Sequence, residues 1–116
     1  MIPVYNKAGV LVRALRSALG QTAVEVDVVC VDDGSTDGSR LQLATWGHRV
    51  TVIEQPNRGP SAARNRGIAA ASAAWVAFLD ADDEWDPGYL TAVAAVRRAH
   101  PRVTYTLGSY RAREGE

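Results

Sequence analysis

Four short apolar runs in this chain each break off into a polar loop, and the stretches between them carry helical spacing. Met1-Ile2 leads into Pro3-Val4-Tyr5-Asn6, and Val28 to Val31 ends in Asp32-Asp33-Gly34-Ser35-Thr36-Asp37. Val50 to Ile53 ends in Glu54-Gln55-Pro56-Asn57-Arg58-Gly59, and Trp75 to Leu79 ends in Asp80-Ala81-Asp82-Asp83. Strands alternating with helices imply parallel pairing through right-handed crossovers. All strands then point one way, and the four polar loops share the edge at which open α/β sheets bind their ligands.

The last loop is the most informative. Residues two apart in a strand point to the same side, so Asp80 and Asp82 are expected to project together while Ala81 faces away. Two convergent carboxylates attract a hard divalent ion such as Mg²⁺ or Mn²⁺, and Mg²⁺ is usually held by one or two carboxylates plus substrate phosphates. The loop therefore suggests a metal-diphosphate site. Alone, an acidic cluster after a strand is more often a helix cap or a solvated turn, and it is the company of three more loops on the same edge that favours the metal.

The intervening segments read as helices from about Lys7 to Gly20, Gly38 to Trp46, Pro60 to Ser72 and Gly88 to Ala99. Asn6 is the expected N-cap of the first, with Leu11, Leu15, Ala18 and Leu19 as its apolar stripe. Pro60 suits a first helical turn, and the small residues behind it predict close packing on the sheet. Val103 to Tyr110 alternates well enough for a fifth strand, ahead of a polar tail.

At 116 residues, with 13 basic and 13 acidic side chains, the chain is one domain at most and has no global field for nucleic acid or an anionic membrane. The single cysteine excludes an internal disulfide, and Cys30 lies inside an apolar run, which favours a small buried residue and a reducing compartment. No stretch is long and apolar enough to export or span. Twelve arginines against the lone Lys7, with abundant alanine, suggest GC-rich bacterial coding. His48 and His100 read as surface residues, and Trp46, Trp75 and Trp85 as packing.

In order and separation, Pro3-Val4-Tyr5-Asn6, Val31 to Asp37, Asn57-Arg58-Gly59 with Ala63-Arg64-Asn65 and Gly67, and Leu79 to Asp83 together resemble the family 2 glycosyltransferases. The resemblance covers nearly the whole chain. It implies a Rossmann-like GT-A nucleotide-binding half, an α/β fold with a mostly parallel sheet of four to five strands and flanking helices, with residues 1–116 as one partial donor-binding domain. It also implies truncation at both ends, because family members begin with a fuller apolar first strand and continue through an acceptor half.

The activity so implied is inverting transfer of a hexose from a nucleotide-diphosphate sugar, a UDP-sugar by expectation, to a hydroxyl of a saccharide or lipid-linked acceptor. The setting would be polysaccharide or cell-envelope synthesis in the cytoplasm or at the inner face of the membrane. By carry-over, Pro3 and Tyr5 wall the base pocket, Asp32 accepts from the uracil imide, Asn57 shapes the loop beside the nucleotide and Arg64 lies near the base. Asp80 touches the ribose, and Asp82, Asp83 or both hold Mg²⁺ or Mn²⁺. The general base is expected beyond Glu116, so the 116-residue chain alone is expected to be inactive.

Rival readings fit less well. An NAD-binding Rossmann turn needs glycine spacing that Pro3-Val4-Tyr5-Asn6 lacks. An EF-hand starting at Asp80 would place Trp85 at its glycine and Thr91 at its bidentate glutamate. Among Mg²⁺-dependent phosphoryl-transfer domains, a dehalogenase-type site meets Gly34 where its second aspartate belongs, and a receiver domain lacks a late lysine. The alternative from another class is a nucleotide-sugar-binding fragment without turnover.

Overall fold

A computed structural model of the protein describes residues 1–109 and 111–112. Three strands, β1 (Ile2–Val4), β2 (Val28–Asp32) and β3 (Val50–Glu54), form a parallel sheet in the order β1-β2-β3. Ile2 stands opposite Cys30, and Cys30 opposite Val52. Register partners share a face, so these three look to one side while Pro3, Val31 and Ile53 look to the other.

The first face carries the main core. Helix α1 (Leu11–Leu19) buries Leu11, Ala14, Leu15 and Ala18, the i, i+3, i+4, i+7 stripe of an amphipathic helix, against Ile2, Val4, Val28 and Cys30. Helix α2 (Ser39–Ala44) adds Leu43 beside Val50. Helix α3 (Pro60–Ala70) packs on β1 and β2, and its buried residues are Ala63 and Gly67, so the expected small face is the one it presents. Burial pushes the Cys30 thiol up to about 12, as suits an inert core residue.

Beyond α3 the chain returns to the free side of β1. The Met1 ammonium donates to the Ala77 carbonyl at 2.7 Å, and the Leu79 amide donates to the Met1 carbonyl at 3.1 Å. That is the bonding of one parallel pair centred on Phe78. The expected fourth strand goes no further, and the run 75–79 is extended without forming a ladder. The next residue of β1 facing it is Pro3, which has no N–H to donate. The expected fifth strand is likewise absent: residues 103–109 are irregular, Tyr105 and Leu107 are exposed, and Tyr110 lies outside the described residues. Among the described residues the sheet therefore has three strands rather than four or five.

Helix α4 (Tyr89–Ala99) buries no side chain completely and is docked by polar contacts at its start. The Gln21 side chain donates to the Asp86 carbonyl and accepts from the Leu90 amide, the Thr22 amide donates to the Pro87 carbonyl, and the Trp85 amide donates to Ser17 Oγ. Trp46 and Trp85 pack against the core as expected. Trp75 does not: it is exposed, with the Arg97 guanidinium 4.0 Å above its ring.

Candidate functional site

Parallel pairing brings the loops after β1, β2, β3 and the 75–79 run to one edge, and side chains lock them in two groups. The first joins the loops after β1 and β2. Asn6 adopts φ 51°, its side-chain carbonyl accepts from the Thr36 and Asp37 amides at 2.8 and 3.3 Å, and its own amide donates to Ser35 Oγ. Asp37 accepts from the Ala8 and Ser39 amides, and its carboxyl is held below the usual range first by the Ser39 side chain and then by these amides. Asn6 is therefore not the N-cap expected of it: α1 begins later, at Leu11, because Asn6 serves the neighbouring loop.

The second link joins the loops after β2 and β3. Buried Asp33 accepts from Gln55 Nε2 at 2.8 Å, the Arg58 amide at 2.8 Å and the Gly59 amide at 2.9 Å. Burial favours its neutral form, but the three donors together outweigh it and leave the carboxyl below its ordinary value. Gly34, at φ 78°, lies so close that a Cβ there would stand 2.9 Å from the Asn57 amide nitrogen. Only glycine fits both that angle and that approach.

Asp32, at the end of β2, is fully shielded from solvent. Its Oδ2 accepts from Arg40 Nε and Nη2, each at 3.1 Å, and its Oδ1 accepts from the Ser35 amide at 3.3 Å. Arg40 Nε also lies 3.3 Å from Glu54 Oε1 on the adjoining strand end.

At the fourth loop Leu79 and Ala81 are buried while Asp80 and Asp82 are exposed, the alternation expected of them. A turn closed by the Asp83 amide on the Asp80 carbonyl returns Asp83 to the same place, and the three carboxylates offer oxygens within 4.8 Å of one another. Cations surround them. Arg64 Nη2 is 3.0 Å from Asp80 Oδ1, Lys7 Nζ is 3.1 Å from Asp82 Oδ2, and Arg13 Nη2 donates to the Asp82 carbonyl. The Lys7 hydrogen bond holds the Asp82 carboxyl below its usual range. Partial removal from water, then the charges of Asp82 and Asp80, push that of Asp83 up. Three clustered oxygen donors with one carboxylate disfavoured in its charged form fit a hard divalent cation.

Of the remaining expected residues, Pro3 is half-buried on the α3 face of β1, Tyr5 is exposed just beyond it, and Asn57 is exposed with its backbone against Gly34. The structure thus gathers Arg64, Asp80, Asp82 and Asp83, and places Asp32 in a separate network. Sequence reasoning missed Lys7, Arg13 and Arg40. Lys7 had a signal, being the chain's one lysine in a ligand-edge loop; an arginine in the first turn of α2 offered Arg40 only a weak one.

Residues 1–116 match the family described as Glycosyl transferase family 2. An uncharacterized glycosyltransferase of Nostoc sp. is 46% identical over 96 residues, covering 79% of this chain and 30% of that protein. The succinoglycan biosynthesis protein ExoO of Rhizobium meliloti is 47% identical over 92 residues, covering 78% of this chain and 26% of that protein. Residues 1–349 of S. aureus TarS in complex with UDP-GlcNAc superpose with a TM-score of 0.79 at 29% identity, over 86% of this chain and 30% of that one. Their complex with UDP gives 0.79 and 28%. The chain therefore spans about a quarter to a third of the length of these relatives. Its α/β architecture is that of the GT-A glycosyltransferases. With the family matched from end to end, the chain belongs to glycosyltransferase family 2.

Proposed function

We propose that this chain captures a UDP-sugar, with Mg²⁺ or Mn²⁺ at Asp82 and Asp83, as the donor side of inverting hexose transfer to a saccharide or lipid-linked acceptor. The observation that carries the reading is the carboxylate cluster at the topological switch point. Both α1 and α2 cover one face of the sheet and α3 the other, so the crevice opens between β1 and the 75–79 run, where such sheets take nucleotides. The UDP and UDP-GlcNAc complexes of TarS support the choice of donor.

Asp80 and Arg64 would meet the ribose and the base side of the nucleotide, Tyr5 and Pro3 would wall the base, and Asn57 would shape the adjoining loop. A divalent cation held there would neutralise the diphosphate and stabilise the charge that develops on the leaving oxygen. The acids on this edge are occupied: Asp33 and Asp37 anchor loops, while Arg13 stands 4.0 Å from Glu84 and Arg111 3.5 Å from Asp86. A general base contributes roughly 10² to 10⁴ in rate, and we assign none to the described residues, so capture without transfer is the activity proposed for the chain as given.

The test is thermal unfolding with UDP, with Mn²⁺ and with both, alongside donor hydrolysis in the same samples. Ligand at a hundred times its dissociation constant stabilises by about 2.7 kcal/mol, roughly 10 °C for a chain of this size. The expected result is a large shift only when both are present and hydrolysis at background. Equal shifts by UDP with and without metal would remove the metal role, and no shift under any condition would remove the donor reading.

A further inference from the structure

A base recognised through Asp32 needs a carboxylate oxygen within reach, and Asp32 presents none. Its side chain is 0% exposed, with two Arg40 nitrogens on Oδ2 and the Ser35 amide on Oδ1. Ser35 and Asp32 belong to one rigid turn that is tied to the β1 loop through Asn6. Arg40 is different. Its side chain is 48% exposed, it is long, and it already touches a second carboxylate, that of Glu54, which is itself 53% exposed. Asp32 and Glu54 are register partners at the ends of β2 and β3, so one guanidinium spans both without leaving its helix.

We propose that Arg40 is a latch on the base subsite: it occupies Asp32 in the empty protein, and a nucleobase imide N–H replaces it there while Glu54 retains the displaced guanidinium. This rests on the donor reading above. The exchange breaks two charge-assisted hydrogen bonds at Asp32 and forms one from a neutral donor, so the latch subtracts from the affinity of every base. Only a base whose edge carries an N–H recovers part of the loss. Uracil qualifies, whereas cytosine presents an acceptor nitrogen at the same position and does not. Arg40 thereby lowers the affinity for the base, while Asp32 does the discriminating, and it lies apart from the metal cluster, where Lys7 and Arg64 are the cations.

The test is titration calorimetry of UDP, CDP and inorganic pyrophosphate, each with Mn²⁺, against the unaltered chain, Arg40→Ala and Glu54→Gln. Arg40→Ala leaves Asp32 open to water and is expected to bind UDP roughly three- to tenfold more tightly, with pyrophosphate unchanged and UDP still preferred over CDP, because the preference resides in Asp32. Glu54→Gln removes the alternative berth and is expected to weaken UDP alone, which keeps the proposal testable should Arg40→Ala fold poorly. Unchanged or weaker UDP binding by Arg40→Ala overturns the latch and leaves the donor reading intact. Equal changes for UDP and pyrophosphate also overturn it, since they would report a lost positive charge rather than a freed subsite. Failure of every variant to bind UDP removes the donor reading itself.

Discussion

Replacing Asp33 by alanine removes one carboxylate and three hydrogen bonds, all from the loop that follows β3. A hydrogen bond to a charged group is worth about 1.5–3 kcal/mol net, and three that share one acceptor are far from additive. Arg58 is exposed, so water can replace Asp33 at its amide, whereas Gly59 and Gln55 are half-buried and recover less. The expected loss is about 3 kcal/mol, or roughly 12 °C in melting temperature for a domain of this length. Asp33→Asn should come close to it, because its amide group turns a donor toward donors. The folded carboxyl lies below its ordinary value, so its contribution is complete at neutral pH and is lost as pH falls through that lowered value. Urea unfolding followed by tryptophan fluorescence between pH 7 and pH 3 reads both effects. The gap between the unaltered chain and the variant should hold steady down to about pH 5 and narrow below about pH 4. A gap under about 1 kcal/mol at pH 7, or one that widens in acid, would refute the assignment of Asp33 as the loop anchor.

Two further predictions concern the division of labour along the edge. Asp32→Ala should weaken uridine nucleotides while leaving Mn²⁺ affinity nearly intact, and Asp82→Ala should weaken Mn²⁺ and, through it, the metal-dependent binding of UDP; calorimetry with Mn²⁺ alone decides it, and equal loss of Mn²⁺ affinity by both variants would contradict the separation seen between the two networks. Lys7→Met removes the cation that competes for Asp82, and since exposed ion pairs are worth about 0.2–1 kcal/mol, Mn²⁺ alone should bind roughly two- to fivefold more tightly. Unchanged or weaker Mn²⁺ binding would show that Lys7 does not stand in the metal's place.

Where the chain's own pattern sufficed, expectation and structure agree closely. Leu11, Leu15 and Ala18 are buried because period and composition both point that way, and Ala63 and Gly67 could approach the sheet only as small residues do. The departures arise where a long-range partner decides the outcome. Val76 to Leu79 has strand composition, but a strand is a pairing, and Pro3 withholds the donor that the next rung requires. Val103 to Ser109 alternates, yet it meets no sheet edge among the described residues, and alternation without an edge produces no ladder.

The same distinction governs the site. Asp80, Asp82 and Asp83 were legible because a strand end and a three-residue turn are local geometry, fixed within four residues of sequence. The cations were not. Lys7 reaches Asp82 across 75 residues, Arg13 reaches the same residue across 69, and Arg64 reaches Asp80 across 16. Each of these contacts exists only after α1 and α3 have packed against the sheet and the 75–79 run has returned beside β1. Arg40 is the instructive intermediate, since it lies only eight residues from Asp32 yet binds it solely because α2 begins by packing Ser39 beneath the β1 loop. A carboxylate that reads as an open acceptor in the sequence is therefore a closed one in the fold. In the proposed latch, recognition of a base there depends on whether Glu54, one strand away, can hold the arginine in its stead.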